Sequence, residues 1–186
     1  MARIHVTQYE EAEGRLKEIY DDLIQKRGKL ADVHMIQSLR PESIVKHMEL
    51  YLEIMFSKSE LSRAEREMIA VVVSASNQCE YCQQHHGEAL NHYWKNEDRL
   101  LRLRSDFRNA DLSEREQLLC AYAQKLTLHP GVFTNDDGTS ALKEVGISDS
   151  AILDATLVVA YFNFVNRIVQ GLGVQLEEDA GNGYNY

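Results

Sequence analysis

The sequence is poor in the residues that interrupt helices. It has two prolines, Pro41 and Pro130, and ten glycines in 186 residues, most of the glycines from Gly131 onward. Long stretches free of both favour helix over turn-rich β structure. It also lacks a basic excess. Twenty Lys and Arg against 29 Asp and Glu give a net charge of −9, so the long-range field repels phosphate and argues against nucleic acid or anionic lipid as partner. Three cysteines are too few for a disulfide framework. The apolar run Met68–Val73 is too short to cross a membrane, and the N-terminus does not read as a signal peptide. These absences together lead us to expect a cytoplasmic protein in a reducing compartment.

What remains is a helical chain with 44% apolar residues, enough for one core at this length. Periodicity and capping signals predict helices at about 9–27, 41–56, 62–76, 79–94, 97–104, 113–127, 138–145 and 149–170. Thr7-x-x-Glu10, Ser62-x-x-Glu65 and Ser113-x-x-Glu116 fit the capping box, and Ser148 or Asp149 can start a further helix. Ala12, Leu16, Ile19, Tyr20 and Leu23 form one apolar stripe; Ile44, Met48, Tyr51, Leu52 and Met55 form another. Met68–Val73 and Ala151–Phe164 are apolar nearly all round. A chain of 186 residues has little left to surround two such helices, so a homo-oligomer is expected. No linker divides the chain. We expect a single domain over 1–186: an N-terminal helical arm to 60, a core over 61–176, and a tail over 177–186 that is disordered or docks on a neighbour.

The chemistry concentrates at Cys79-Glu80-Tyr81-Cys82-Gln83-Gln84-His85-His86. On a helix Cys79, Cys82 and His86 share a face within about 60°, and His85 points elsewhere. Cys79 falls at the helix N-terminus, where free N–H groups and the helix dipole favour a thiolate. Such a pair can close a disulfide with little backbone movement, and His86 can take or return a proton. A metal site is the competing reading, although Cys120 and His129 are too remote to complete a known zinc pattern; a purely structural pair is the third. Cys120 reads as a buried inert thiol. His47, His92 and His129 read as surface or helix-end residues, and Tyr161, Phe162 and Phe164 as core or interface aromatics. Glu67, taken alone, is one more charge in a solvated run.

Read together, Glu67, Cys79, Cys82 and His86 make Glu-x11-Cys-x-x-Cys-x-x-x-His. This resembles the signature of the AhpD-like peroxidases of the carboxymuconolactone decarboxylase superfamily. Leu39–Ser43, Leu61–Ser74 and Val158–Arg167 resemble its peroxidase-related subgroup. The resemblance implies an all-α, AhpD-like bundle on a helical hairpin core, assembled as a trimer or hexamer, with no cofactor. It implies thiol-dependent reduction of hydroperoxides: Cys82 attacks, Cys79 resolves the sulfenate as a disulfide, His86 and Glu67 relay protons, and a thiol or dithiol carrier restores the pair. The cysteine pair argues against lactone decarboxylation, the chemistry of the other branch, which stays an alternative together with metal binding. Tyr81 departs from the family, whose best-studied members have histidine there, and a phenol is a poor proton acceptor at neutral pH. Position along the helix poses a further test. Glu67 lies about 18 Å from Cys79 on a straight helix, so the chain must turn at Asn77-Gln78. A neighbouring helix pair is expected to cross near Glu67.

Overall fold

The computed structural model describes residues 2–135 and 137–177, and among them it has nine α-helices and no strand. They are α1 (Gly14–Arg27), α2 (Asp32–Met35), α3 (Pro41–Phe56), α4 (Arg63–Ser76), α5 (Glu80–Trp94), α6 (Glu97–Ser105), α7 (Glu114–Leu128), α8 (Ser140–Glu144) and α9 (Asp149–Leu172). The tail over 178–186 lies outside the described residues. The all-α expectation holds.

Two predicted capping boxes form as expected. Ser62 accepts from the Glu65 N–H and Ser113 from the Glu116 N–H, while each glutamate reaches back to its serine N–H. Ser148 caps α9 by accepting from the Ala151 N–H. The first helix differs. The chain makes a short 3₁₀ turn at Tyr9–Glu11, where Glu11 rather than Glu10 reaches back, to the Gln8 N–H. It then breaks before α1, with Gly14 at φ +51°, a left-handed backbone that glycine adopts without strain. The short helix α2 was missed, because four residues are too few to show a period.

Helix α4 is the centre of the molecule. Met68 to Val73 are all 2% exposed or less, enclosed by α5, α7 and α9. This corrects one half of the oligomer argument: the chain surrounds α4 by itself. Helix α9 is different. Its Ala151, Ala155, Val158 and Phe162 are buried, yet Leu153, Leu157, Ala160 and Phe164 form an exposed stripe at spacings of four, three and four residues. By length and composition α9 could cross a membrane, but half of its apolar window is buried inside the fold. The stripes on α1 and α3 pack together as a smaller cluster, with Leu16, Ile19, Tyr20, Leu23, Ile44 and Met48 buried; Leu52, at the edge of its stripe, is exposed.

Candidate active site

Helices α4 and α5 form an antiparallel hairpin whose turn, Asn77-Gln78-Cys79, includes Gln78 at φ +55°. Cys79 is the N-cap of α5, as its position predicted. Glu67 lies ten residues before Asn77 and His86 seven after Cys79. At about 1.5 Å per residue the two stand level across the hairpin. Glu67 Oε2 meets His86 Nδ1 at 2.7 Å. The expected crossing by another helix pair is therefore unnecessary, since Glu67 has to reach His86 and not Cys79.

Glu67 is fully buried, which corrects its reading as a solvated charge. Burial alone would raise its pKa, but the charges and hydrogen bonds of His86 and Arg63 outweigh it and hold the carboxyl below its ordinary range. Arg63 donates from Nε to Glu67 Oε1 at 2.9 Å and from Nη1 to the Met55 carbonyl at 2.7 Å, and stacks 3.6 Å from the Phe56 ring. Arg63 was not singled out in the sequence; its i, i+4 spacing to Glu67 was the available signal. The Phe162 ring packs nearly perpendicular to the His86 ring, with their centres 4.4 Å apart.

Cys79 and Cys82 are free thiols, both buried. The hydrogen bond from the Cys82 thiol lowers the pKa of Cys79 against its burial, and the same bond, with burial, raises that of Cys82. Of the two, Cys79 is the more acidic thiol. Asn166, fully buried on α9, opposes the rise by donating to the Cys82 sulfur. Its orientation is fixed by Asn77 Nδ2, which donates to its Oδ1 at 2.9 Å, and by Ser74 Oγ, which accepts from its Nδ2 at 3.2 Å. Cys120 is buried on α7, and burial pushes its thiol up. Among the described residues no three His, Cys, Asp or Glu side chains gather as a metal-binding group.

The two thiols face different spaces. Cys82 and His86 line a half-open cavity of about 80 Å³, walled by Tyr51, His34, His47, His85 and Tyr161 among others. Cys79 lines a separate, open groove of about 540 Å³ beside Gln78, Gln170 and the segment after α9. Tyr81 lines both and stands between them. Its hydroxyl donates to Glu177 Oε1 at 2.8 Å, and His85 Nε2 meets Glu177 Oε2 at 2.7 Å. The residue that departs from the family signature is thus a wall post, and Glu177 ties the segment after α9 to α5.

His47 corrects the surface reading. It is 5% exposed, and burial lowers its pKa to about 4. Burial, with His47 next in effect, lowers that of His34 to about 3. Both rings are neutral at pH 7, and Arg27 also lines the cavity, close enough for its charge to act on His34 and Tyr161. Tyr161 and Phe162 are core residues, whereas Phe164 is exposed.

Residues 43–105 match the carboxymuconolactone decarboxylase family. Among curated proteins none matches the chain. Solved structures do. The chain is similar to the alkylhydroperoxidase AhpD core, peroxidase-related protein from Ralstonia eutropha JMP134, at 24% identity and TM-score 0.86, over 97% of this chain and 94% of that one. It is similar to a peroxidase-related protein from Silicibacter sp. TM1040 at 26% identity and TM-score 0.80, over 89% and 86%. It also shares its fold with the debrominase Bmp8, at 20% identity and TM-score 0.76, over 94% and 92%. The family match spans the Glu67–His86 hairpin, and it sits in a fold that the chain shares along nearly its whole length with AhpD-like, peroxidase-related proteins.

Proposed function

We propose that the protein is a thiol-dependent peroxidase that reduces hydroperoxides through a Cys79–Cys82 dithiol/disulfide cycle. The observation that carries this reading is the contact of Glu67 with His86 across the hairpin, at the cavity into which Cys82 opens. His86, oriented by Glu67, takes the Cys82 proton. The thiolate attacks the outer peroxide oxygen, the O–O bond breaks, and the proton passes to the departing alkoxide. Cys79 then attacks the Cys82 sulfenate, water leaves and the disulfide closes. Cys79 is the more acidic thiol, but Cys82 shares its cavity with His86, the group that takes its proton. A dithiol carrier attacks Cys79 from the groove, expels Cys82, then closes its own disulfide and releases Cys79.

The test is turnover of tert-butyl hydroperoxide with dithiothreitol. Wild type is expected to turn over and Cys82→Ser to be inactive; equal rates would end the proposal. Mass spectrometry after mild peroxide treatment should show the Cys79–Cys82 link. A product dominated by Cys82 sulfinic acid, with Cys79 reduced, removes the resolving role of Cys79.

A second reading, reductive debromination of an aromatic, is favoured by the fold shared with Bmp8, a cysteine-to-alanine variant of which is in complex with 2,3,4-tribromopyrrole, and by the aromatic cavity wall. Bromide release from that pyrrole with dithiothreitol, in the absence of hydroperoxide turnover, would select it.

The exposed stripe on α9 supports a homo-oligomer that buries Leu153, Leu157 and Phe164. Light scattering at micromolar concentration should give a multiple of the chain mass, and Leu157→Glu should reduce it; a monomeric wild type refutes this.

A further inference from the structure

Gln37, His47 and Tyr161 form a chain of hydrogen bonds that ends at the cavity, and donor accounting fixes its direction. Gln37 Nε2 lies 2.8 Å from the Val33 carbonyl and 2.8 Å from His47 Nδ1. A carbonyl oxygen only accepts, so the Gln37 atom is the amide nitrogen, and its two hydrogens go to Val33 and to His47. His47 Nδ1 therefore accepts and carries no proton. Burial keeps the ring neutral at pH 7, so its single proton is on Nε2. That N–H donates to Tyr161 Oη at 2.6 Å. The Tyr161 hydroxyl is thus an acceptor toward His47, and its own hydrogen is left to donate. Among the described residues it makes no other hydrogen bond. Tyr161 lines the cavity with Cys82 and His86, near enough for charge on the Cys82 sulfur to act on the phenol.

We propose that Tyr161 donates a hydrogen bond to the peroxide oxygen that leaves as Cys82 attacks, with His47 and Gln37 as positioning residues that hold its hydrogen toward the cavity. The proposal rests on the peroxidase reading. The Cys82 sulfur forms its bond to the outer oxygen and loses two electrons. The O–O bond breaks, and the negative charge grows on the alkoxide oxygen. Tyr161 stabilises that charge and keeps its own proton, because burial raises its pKa well above that of an ordinary phenol; the proton that completes the alcohol comes from His86. Such a donor is already oriented before reaction, so it costs no reorganisation in the transition state.

The experiment is single-turnover oxidation of the pre-reduced protein by tert-butyl hydroperoxide, beside oxidation by diamide, which forms the same disulfide without a departing alkoxide. Tyr161→Phe, which keeps the ring, should slow the hydroperoxide reaction roughly 10²-fold, the scale of losing one oriented donor, and leave the diamide reaction unchanged. Gln37→Leu should slow it several-fold in wild type and not at all in the Tyr161→Phe background, a coupling that a purely structural role does not produce. The ¹⁵N shifts of His47 should report the Nε2–H tautomer. Equal hydroperoxide rates for wild type and Tyr161→Phe, equal losses with both oxidants, or an Nδ1–H tautomer would each overturn the assignment while the peroxidase reading stands. A wild type oxidised by diamide but inert to hydroperoxide overturns both.

Discussion

His85 and His86 are neighbours on α5, and each meets a carboxylate at 2.7 Å, His86 with Glu67 and His85 with Glu177. Both histidines line the cavity with Cys82, but their carboxylates differ. Glu67 is fully buried, is held also by Arg63, and lies on the helix that forms the hairpin with α5. Glu177 comes from the far end of the described chain and also accepts from Tyr81 and from the Asp32 N–H. The first pair is the proposed proton relay; the second ties the segment after α9 to α5. A helix turns by about 100° per residue, so adjacent histidines that line one cavity reach carboxylates on different elements. An imidazole–carboxylate contact therefore says little about role until the burial and origin of the carboxylate are known.

The comparison breaks first at the relay. His86→Ala should slow hydroperoxide reduction by about 10²–10⁴-fold, the range of general acid–base assistance, with helicity by circular dichroism unchanged. His85→Ala should leave that rate within a few-fold. Equal losses would mean that the two pairs are not distinct.

Glu67→Gln should also slow the reaction within that range, because it removes the negative charge that supports an imidazolium at His86. Glu67→Leu should in addition destabilise the fold by about 3–5 kcal/mol, since it leaves the largely buried Arg63 without its counter-ion. A Glu67→Leu variant as stable as wild type in urea unfolding would show that Arg63 finds water or another partner.

A smaller effect is expected at the clamp. The Glu177 pKa is lowered to about 2: burial would raise it, and the hydrogen bond and charge of His85 prevail. Its stabilisation is fully present above the unfolded carboxylate value of about 4.3 and is lost as pH falls through that value toward about 2. Glu177→Gln should flatten that part of the stability–pH curve and speed amide exchange over 173–177, with peroxide turnover retained. Unchanged exchange there would remove the clamp.

The smallest effect belongs to Tyr81→Phe. It keeps the ring, 4.3 Å from that of His85, and loses the hydrogen bond to Glu177, a change of about 0.5–1.5 kcal/mol. Peroxide oxidation should not change. A large loss of rate would give Tyr81 a part in the chemistry that its position between the two spaces does not suggest.

By itself the sequence determined what local physics writes into short spans. Serine caps with their glutamates fixed the starts of α4 and α7, the apolar stripes fixed the buried faces of α1 and α3, and i, i+3 spacing put Cys79 and Cys82 at the start of one helix. The four signature residues were legible together, although Glu67 read alone was misplaced at the surface. Tertiary structure alone decided the rest, because it depends on which distant segments meet. It buried Glu67 by setting it level with His86 across the hairpin. It brought Asn166 to Cys82 from 84 positions away, carried Gln37, His47 and Tyr161 into one hydrogen-bonded chain, and brought Glu177 back to α5. Contacts of that kind have no period and no fixed spacing along the chain. They arise where helices meet in space, as α3, α5, α6, α7 and α9 do around α4, which is buried along Arg66–Ser74.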